Sequence, residues 1–335
     1  MIKAAIVGAG YIAQAHANAI KNNEDAMISA IVDIAEEKGR KMADSFNCSY
    51  YKSLDELFKN EEIDCVIVCV PTPFHPEIVI KAANAKKHIL CEKPMALSLE
   101  EIDKMIKAVK DNDVKAMTGQ ILRFWPEYIK IKSILDSKVL GNPIHIFCQR
   151  LAVTPDWQDD KWGLNEKLSG GAPLDLHIHD LDFLLWVLGR PQYVKAQGTF
   201  NPDEGGLSHI FTTLGFKSGQ AGFAEGGWAF KGSFPFTMSL RILCEKGTIE
   251  WIFKAGKNIE ERSKQAEITI YKNNGEIETV ETVQRDAFFN EMDYFISCIK
   301  NNNKIENASF EDGRAAVELS LAAIKSAKEN SVVNI

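Results

Sequence analysis

The first 120 residues repeat one pattern that leaves few folds open. Five short apolar runs, KAAIVG, ISAIVD, CVIVCV, KHILCE and VKAMTG, are separated by stretches with helical spacing: YIAQAHANAIKNN, IAEEKGRKMADSF, HPEIVIKAANAK and SLEEIDKMIKAVKDN. The runs are apolar at nearly every position, as strands covered on both faces are. Strand alternating with helix implies parallel pairing, and so a doubly wound α/β sheet. Ser98 followed by Glu101 places a capping box at the start of the last of these helices. Cys65 and Cys69 lie four apart in DCVIVCV and read as small core hydrophobes on one strand face.

Beyond about residue 122 the period changes. A helix is expected over 126–137 and another over 174–188, followed by a meander of strands from 194 to about 283. Two helices, over 287–300 and 311–330, close the chain. The chain therefore divides into an N-terminal α/β domain, 1–121, and a C-terminal α+β domain, 122–335, with a large, mostly antiparallel, open-faced sheet. The C-terminal helix is expected to pack back on the N-terminal domain. The strand AGFAEGGWAF would sit poorly against water, so the open face should be covered by another surface.

A formal net charge of −7 gives no reason to expect nucleic acid or an anionic membrane as partner. MIKAAIVGAG is too short and glycine-interrupted for a signal peptide, and no apolar run approaches the ~18 residues needed to cross a bilayer. The seven cysteines are scattered, odd in number and without a CxxC pair. Reduced thiols in a cytoplasmic protein fit this spacing better than a disulfide framework.

Two turns carry chemistry. The first is Gly8-Ala9-Gly10-Tyr11-Ile12-Ala13, between the run KAAIVG and a helix. Gly8 permits a tight turn, Gly10 lets a pyrophosphate approach the backbone, and Ala13 is the third small position, where helix packs on strand. The helix N-terminus offers free N–H groups to the phosphates. ISAIVD then ends at Asp33, whose carboxylate can accept both hydroxyls of an adenosine ribose and would repel a 2′-phosphate; Ile34-Ala35-Glu36 follow, with no arginine. NAD is thus favoured over NADP. The second turn is Glu92-Lys93-Pro94, which ends KHILCE at the edge where parallel sheets bind ligands.

This second turn resembles the one that marks the Gfo/Idh/MocA oxidoreductase family. PTPFH at 71–75 resembles that family's loop beside the nicotinamide ribose, Arg123-Phe124-Trp125-Pro126 matches its Arg-Phe-x-Pro pattern, and GGAPLDLHIHDLD at 170–182 resembles its GG-x3-D-x3-H-x2-D signature. The resemblance runs the length of the chain. It implies a Rossmann domain first, then a substrate domain whose open sheet joins subunits into homodimers or homotetramers. It implies cofactor contacts from Gly8, Gly10, Tyr11 and Ile12, from Asp33 and Ile34, and from Pro71, Thr72 and His75. Glu92, Lys93 and Gln120 complete that set. It also makes Lys93, Asp175 and His179 the catalytic group, the proton passing through the lysine or the histidine.

On a helix at about 100° per residue, Asp175, His179 and Asp182 share one stripe, while His177 and Asp180 point away. A metal site is disfavoured: His177 and His179 lie about 160° apart, and no third ligand accompanies Asp175 and His179. The chemistry of an alcohol dehydrogenase suits the stripe better. His179 is read as general base, Lys93 as the cation that steadies the developing alkoxide, and Asp175 as the group that holds a substrate hydroxyl or orients the imidazole. Arg123 either binds a substrate anion or pairs with a carboxylate, and Trp162 either stacks on a sugar ring or packs. His177 and Asp180 are read as structural, and His16 as packed or solvated. The expected activity is hydride transfer between NAD and a secondary alcohol of a sugar or cyclic polyol. Two rivals remain: an NADP-dependent ketone or dihydrodiol reductase, and a dinucleotide-sensing regulator without catalysis.

Overall fold

A computed structural model describes residues 1–155, 164–201, 206–256, 266–283 and 285–335. The chain begins β1 (Ile2–Val7), α1 (Tyr11–Lys21), β2 (Ala26–Val32), α2 (Glu36–Phe46), β3 (Ser49–Tyr51) and α3 (Leu54–Asn60). It continues β4 (Cys65–Val68), α4 (His75–Asn84), β5 (His88–Cys91), α5 (Leu99–Asn112), β6 (Ala116–Thr118), α6 (Pro126–Asp136), β7 (Pro143–Val153), α7 (Glu166–Ser169) and α8 (Ile178–Leu188). Strands β8 (Tyr193–Asn201), β9 (Gly206–Gly215), β10 (Ala221–Phe230), β11 (Thr237–Cys244), β12 (Gly247–Lys254), β13 (Ile268–Lys272) and β14 (Ile277–Val280) follow. Last come α9 (Ala287–Lys300), α10 (Phe310–Glu329) and β15 (Val333–Asn334).

Met1–Trp125 and Arg285–Arg314 form one compact unit. Its six strands pair in the order β3-β2-β1-β4-β5-β6, all parallel. Ala4, Ala5 and Ile6 on β1 and Cys65 to Val68 on β4 are wholly buried, as strands sandwiched between helix layers must be. The strand order reverses between β1 and β4, so the loops leaving their carboxyl ends diverge and open a crevice; this is the Rossmann arrangement. Ser98 accepts the N–H of Glu101 at 3.3 Å and donates its hydroxyl to that residue's carboxylate at 2.9 Å, closing the cap of α5. The core extends to α9, whose Met292, Phe295 and Ile296 join Ala13, Ala17 and Ile20 of α1.

Pro126–Gln284 and Ala315–Ile335 form the other unit. Its nine strands run β14-β13-β12-β11-β7-β10-β9-β8-β15, antiparallel except where β10 meets β7. Tyr128 of α6 lies edge-on to Phe183 of α8 and to Trp251 of β12, with ring centroids 5.0 and 5.3 Å apart. Beside them Arg150 of β7 meets Asp180 of α8 at 3.0 and 3.4 Å, and both side chains are almost wholly buried. The pair ties the helix to the sheet where neither charge can reach water. The seven cysteines are unbridged, and among the described residues no helix is long and apolar enough to cross a membrane.

Several elements lie outside the sequence expectation, among them the short α7 and β15. β3 and α3 are short, and β7 falls in a stretch where no strand was expected, although it is central to its sheet. In PIHIFCQRLAV the polar His145, Gln149 and Arg150 break both the alternating and the all-apolar pattern.

Asp180→Ala leaves the Arg150 guanidinium buried without its counter-charge and should lower unfolding stability by about 3–5 kcal/mol, whereas Asp180→Leu with Arg150→Met should recover most of that loss. Urea unfolding followed by tryptophan fluorescence measures both; a loss below about 1 kcal/mol in the single variant would refute the role assigned to the pair.

Candidate active site

The glycine turn sits at the carboxyl end of β1. Gly8 has φ +100°, and a Cβ there would stand 2.6 Å from the carbonyl oxygen of Cys69. Glycine alone lets β1 leave the sheet this close to the end of β4. Gly10 is different: its φ is −84°, and a Cβ would meet nothing within 4 Å. Packing of the chain on itself does not require that glycine. Its effect is to leave the start of α1 bare, where the first N–H groups of a helix attract an anion. Ala13 is wholly buried, Tyr11 and Ile34 are exposed, and Ile12 is half-buried.

Asp33 braces this turn. One carboxylate oxygen accepts the N–H of Ala9 and the other that of Ala35, each at 2.7 Å. The same group thus fixes the loop after β1 and the entry to α2, and it stands beside the glycines where the expected ribose contact belongs.

The loop after β4 is locked to the turn after β5. His75 is buried, and its ring nitrogens face the carbonyl oxygens of Val70 at 2.8 Å and Pro94 at 3.0 Å. Burial pushes the His75 pKa down, so the ring is held neutral and donates to one carbonyl at a time. His75 therefore has no ring nitrogen left over for a ligand; its place is behind the loop, as a brace. Thr72 is buried beside it and Pro71 half-buried.

Lys93 follows β5, half-buried, and its bond to Pro94 is cis. Glu92 behind it is buried; one oxygen accepts the Lys93 N–H at 3.0 Å and the other meets His16 Nε2 at 2.7 Å. Burial pushes the Glu92 carboxyl up, but the His16 contact and the Lys93 charge outweigh it and hold the group below the usual carboxylate value. Of the two readings of His16, packed or solvated, the first holds, and the contact with Glu92 adds to it. Nothing in the spacing of residues 76 apart announces this contact. Gln120 is buried at the end of β6, and the buried Arg123 guanidinium meets Asp312 at 3.2 Å. Of the two readings of Arg123, this is the carboxylate pair.

The signature 170–182 belongs to the other unit. Gly170 and Gly171 have φ +79° and +69°, a left-handed pair that ends α7. Pro173–His177 is a wide π turn that runs into α8. The single α-helical register expected over 174–188 therefore does not hold: the extra residue in the turn alters the angle of Asp175 to His179, and such π turns recur at functional sites. Asp175 is half-buried, while His179 and Asp182 are buried. His177 Nε2 meets Thr212 Oγ1 at 2.9 Å, and Gly226 leaves room for the ring, since a Cβ there would stand 2.5 Å from Nδ1. Burial, with His209 and Arg150 nearby, pushes the His177 pKa down to about 3. His177 and Asp180 have structural partners in Thr212 and Arg150. Trp162 lies outside the described residues. Among the described residues no group of three or more His, Cys, Asp or Glu side chains could hold a metal ion.

Comparison with known proteins agrees with this geometry. The profile described as "Oxidoreductase family, NAD-binding Rossmann fold" matches residues 2–120, and that described as "Oxidoreductase family, C-terminal alpha/beta domain" matches 132–335. The chain is 29% identical to the myo-inositol 2-dehydrogenase of Thermotoga maritima, over 98% of this chain and 97% of that one. It is 34% identical to the 2,7-anhydro-N-acetylneuraminate hydratase of Escherichia coli, over 69% of this chain and 63% of that one. Its fold superposes on a levoglucosan dehydrogenase in complex with NADH with a TM-score of 0.87, at 21% identity, covering 100% of this chain and 99% of that one.

The two glycines should respond differently to substitution. Gly10→Ala should keep stability within about 1 kcal/mol, because the methyl meets no neighbour, yet weaken NAD binding tenfold or more, roughly, by blocking the approach of a pyrophosphate. Gly8→Ala should lose both, through strain at positive φ and the clash with Cys69. Thermal unfolding and nucleotide titration separate these outcomes; undiminished NAD affinity in Gly10→Ala would remove the cradle.

Proposed function

The chain belongs to the Gfo/Idh/MocA oxidoreductase family, and from that premise we propose that it transfers a hydride between NAD and a secondary alcohol of a sugar, cyclic polyol or related hydroxylated ring. The observation that carries this reading is a lysine at the ligand-binding edge of a Rossmann sheet, on a turn braced by two buried side chains, Glu92 and His75. The near full-length kinship with a myo-inositol 2-dehydrogenase supports a polyol substrate.

The residues present fit a dinucleotide. The bare helix start at Gly10 suits the pyrophosphate, and the Asp33 carboxylate suits an unphosphorylated ribose, which favours NAD over NADP. Tyr11, Ile12, Ile34, Pro71, Thr72 and Gln120 flank that path. Bound NAD supplies the hydride acceptor. The proton of the alcohol must leave as the hydride does. His179 is assigned as the base that takes it, since an imidazole titrates in the useful range. Lys93 steadies the alkoxide as it forms, and Asp175 holds a neighbouring hydroxyl or the imidazole. In the reducing direction the same groups act in reverse.

The kinship with a hydratase favours a second reading, in which water is added to a sugar with no net oxidation. A panel of sugars, inositols and sugar acids, run with NAD and with NADP, decides between them. Net NADH production supports the dehydrogenase, and product formed without net reduction supports the hydratase. Turnover with NADPH alone would favour a reductase, and binding without turnover a sensor. On the best substrate, Lys93→Ala and His179→Ala should each lower kcat/KM by about 10²- to 10⁴-fold. Full activity in both would reject the assignment.

We also propose that the outer face of the nine-stranded sheet joins subunits. Phe211, Phe223 and Ile252 are exposed on it, which is costly for a free surface. Phe211→Glu with Phe223→Glu should reduce the mass seen by light scattering to that of a smaller assembly; an unchanged mass would exclude this face.

A further inference from the structure

The first unit holds a buried group of two acids and an imidazole, of which the proposed chemistry draws only on Glu92. His16 on α1 and Glu291 on α9 are wholly buried, and Glu92, at the end of β5, is 7% exposed. His16 Nε2 meets one Glu92 oxygen at 2.7 Å, and the other accepts the backbone N–H of Lys93. The end of β6 presses on the same carboxylate, since a Cβ on Gly119 would stand 3.0 Å from it. Phe288 of α9 lies edge-on to the His16 ring, with centroids 5.5 Å apart. Both Glu291 oxygens lack a hydrogen-bond partner among the described residues. Burial, and then the Glu92 charge, push the Glu291 carboxyl well above its usual range, whereas Glu92 is held below its own.

We propose that His16 is a positioning residue: it fixes the Glu92 carboxylate, and through it the point from which the Lys93 side chain starts. This deepens the assignment of Lys93 and rests on it. A buried carboxylate without its imidazole partner must protonate, turn or draw in water. Each of these changes what the Lys93 N–H meets. His16 on α1 and Glu92 after β5 thereby act on one lysine without touching a substrate.

The test compares the full-length protein with His16→Leu and His16→Gln, the latter keeping an N–H donor near the position of Nε2. Two readouts are taken: steady-state kinetics on the best substrate, and competitive acetylation of Lys93 relative to the other lysines by mass spectrometry. In His16→Leu, kcat should fall about 10- to 100-fold while NAD affinity changes little, and Lys93 acetylation should shift several-fold. His16→Gln should recover most of both. Unchanged Lys93 reactivity in His16→Leu, or a His16→Gln variant as impaired as the leucine, overturns the proposal. If His16→Leu does not fold, His16→Asn, too short to reach the Glu92 carboxylate, takes its place in the same comparison. If the wild-type protein turns over no member of the panel, the acetylation alone decides: shifted reactivity upholds the role of His16 even as the dehydrogenase reading falls.

Discussion

At Gly8 the first strand leaves its sheet so close to the end of β4 that no side chain fits between them. The whole carboxyl edge of the Rossmann sheet is organised around that crossing. Gly8 donates to Val32 and Cys69 donates to Val7, each at 2.8 Å, so the ends of three neighbouring strands are stitched together there. The loops beyond are then held by polar side chains: the half-buried Asp33 behind the glycines, and the buried His75 between two loops and Glu92 behind Lys93. At His75 and Glu92 the brace lies in a low-dielectric interior, where a satisfied polar group is stiff and an unsatisfied one is costly. A loop edge that would otherwise be mobile becomes a fixed frame for a ligand.

The second unit solves a similar problem with charge. α8 carries His179, Asp180 and Asp182, and the π turn before it carries His177; of these buried side chains Asp180 meets Arg150 and His177 meets Thr212. These contacts orient the helix. The π turn ahead of it then presents Asp175 at an angle an uninterrupted α-helix would not give. Position on the helix is thus set from below by structural residues and from its N-terminus by a distortion.

Much of the first unit was legible because its strands are buried on both faces and write themselves as unbroken apolar runs. The capping box at Ser98 and the glycine spacing at the cradle are local, so they too can be read from adjacent residues. β7 was not legible, because Arg150 and Gln149 interrupt it; the first answers Asp180 and the second meets Glu225, partners 30 and 76 residues away. The contact of His16 with Glu92, the burial of Glu291 on α9 and the pairing of Arg123 with Asp312 are products of tertiary packing, and no spacing rule reaches them. The π turn escaped because a uniform period was imposed on 174–188, and a Pro173 start with paired glycines before it was the available warning.

Asp33 unites two duties that are often imagined as separable. Its oxygens already anchor the backbone at Ala9 and Ala35 before any nucleotide arrives. A lineage drifting toward a phosphorylated cofactor could not simply discard this carboxylate, because the phosphate loop and the mouth of α2 would slacken together. Whatever this carboxylate contributes to the choice of coenzyme is tied in this way to the masonry of the fold, and replacing it calls for a new keystone as well as a new charge.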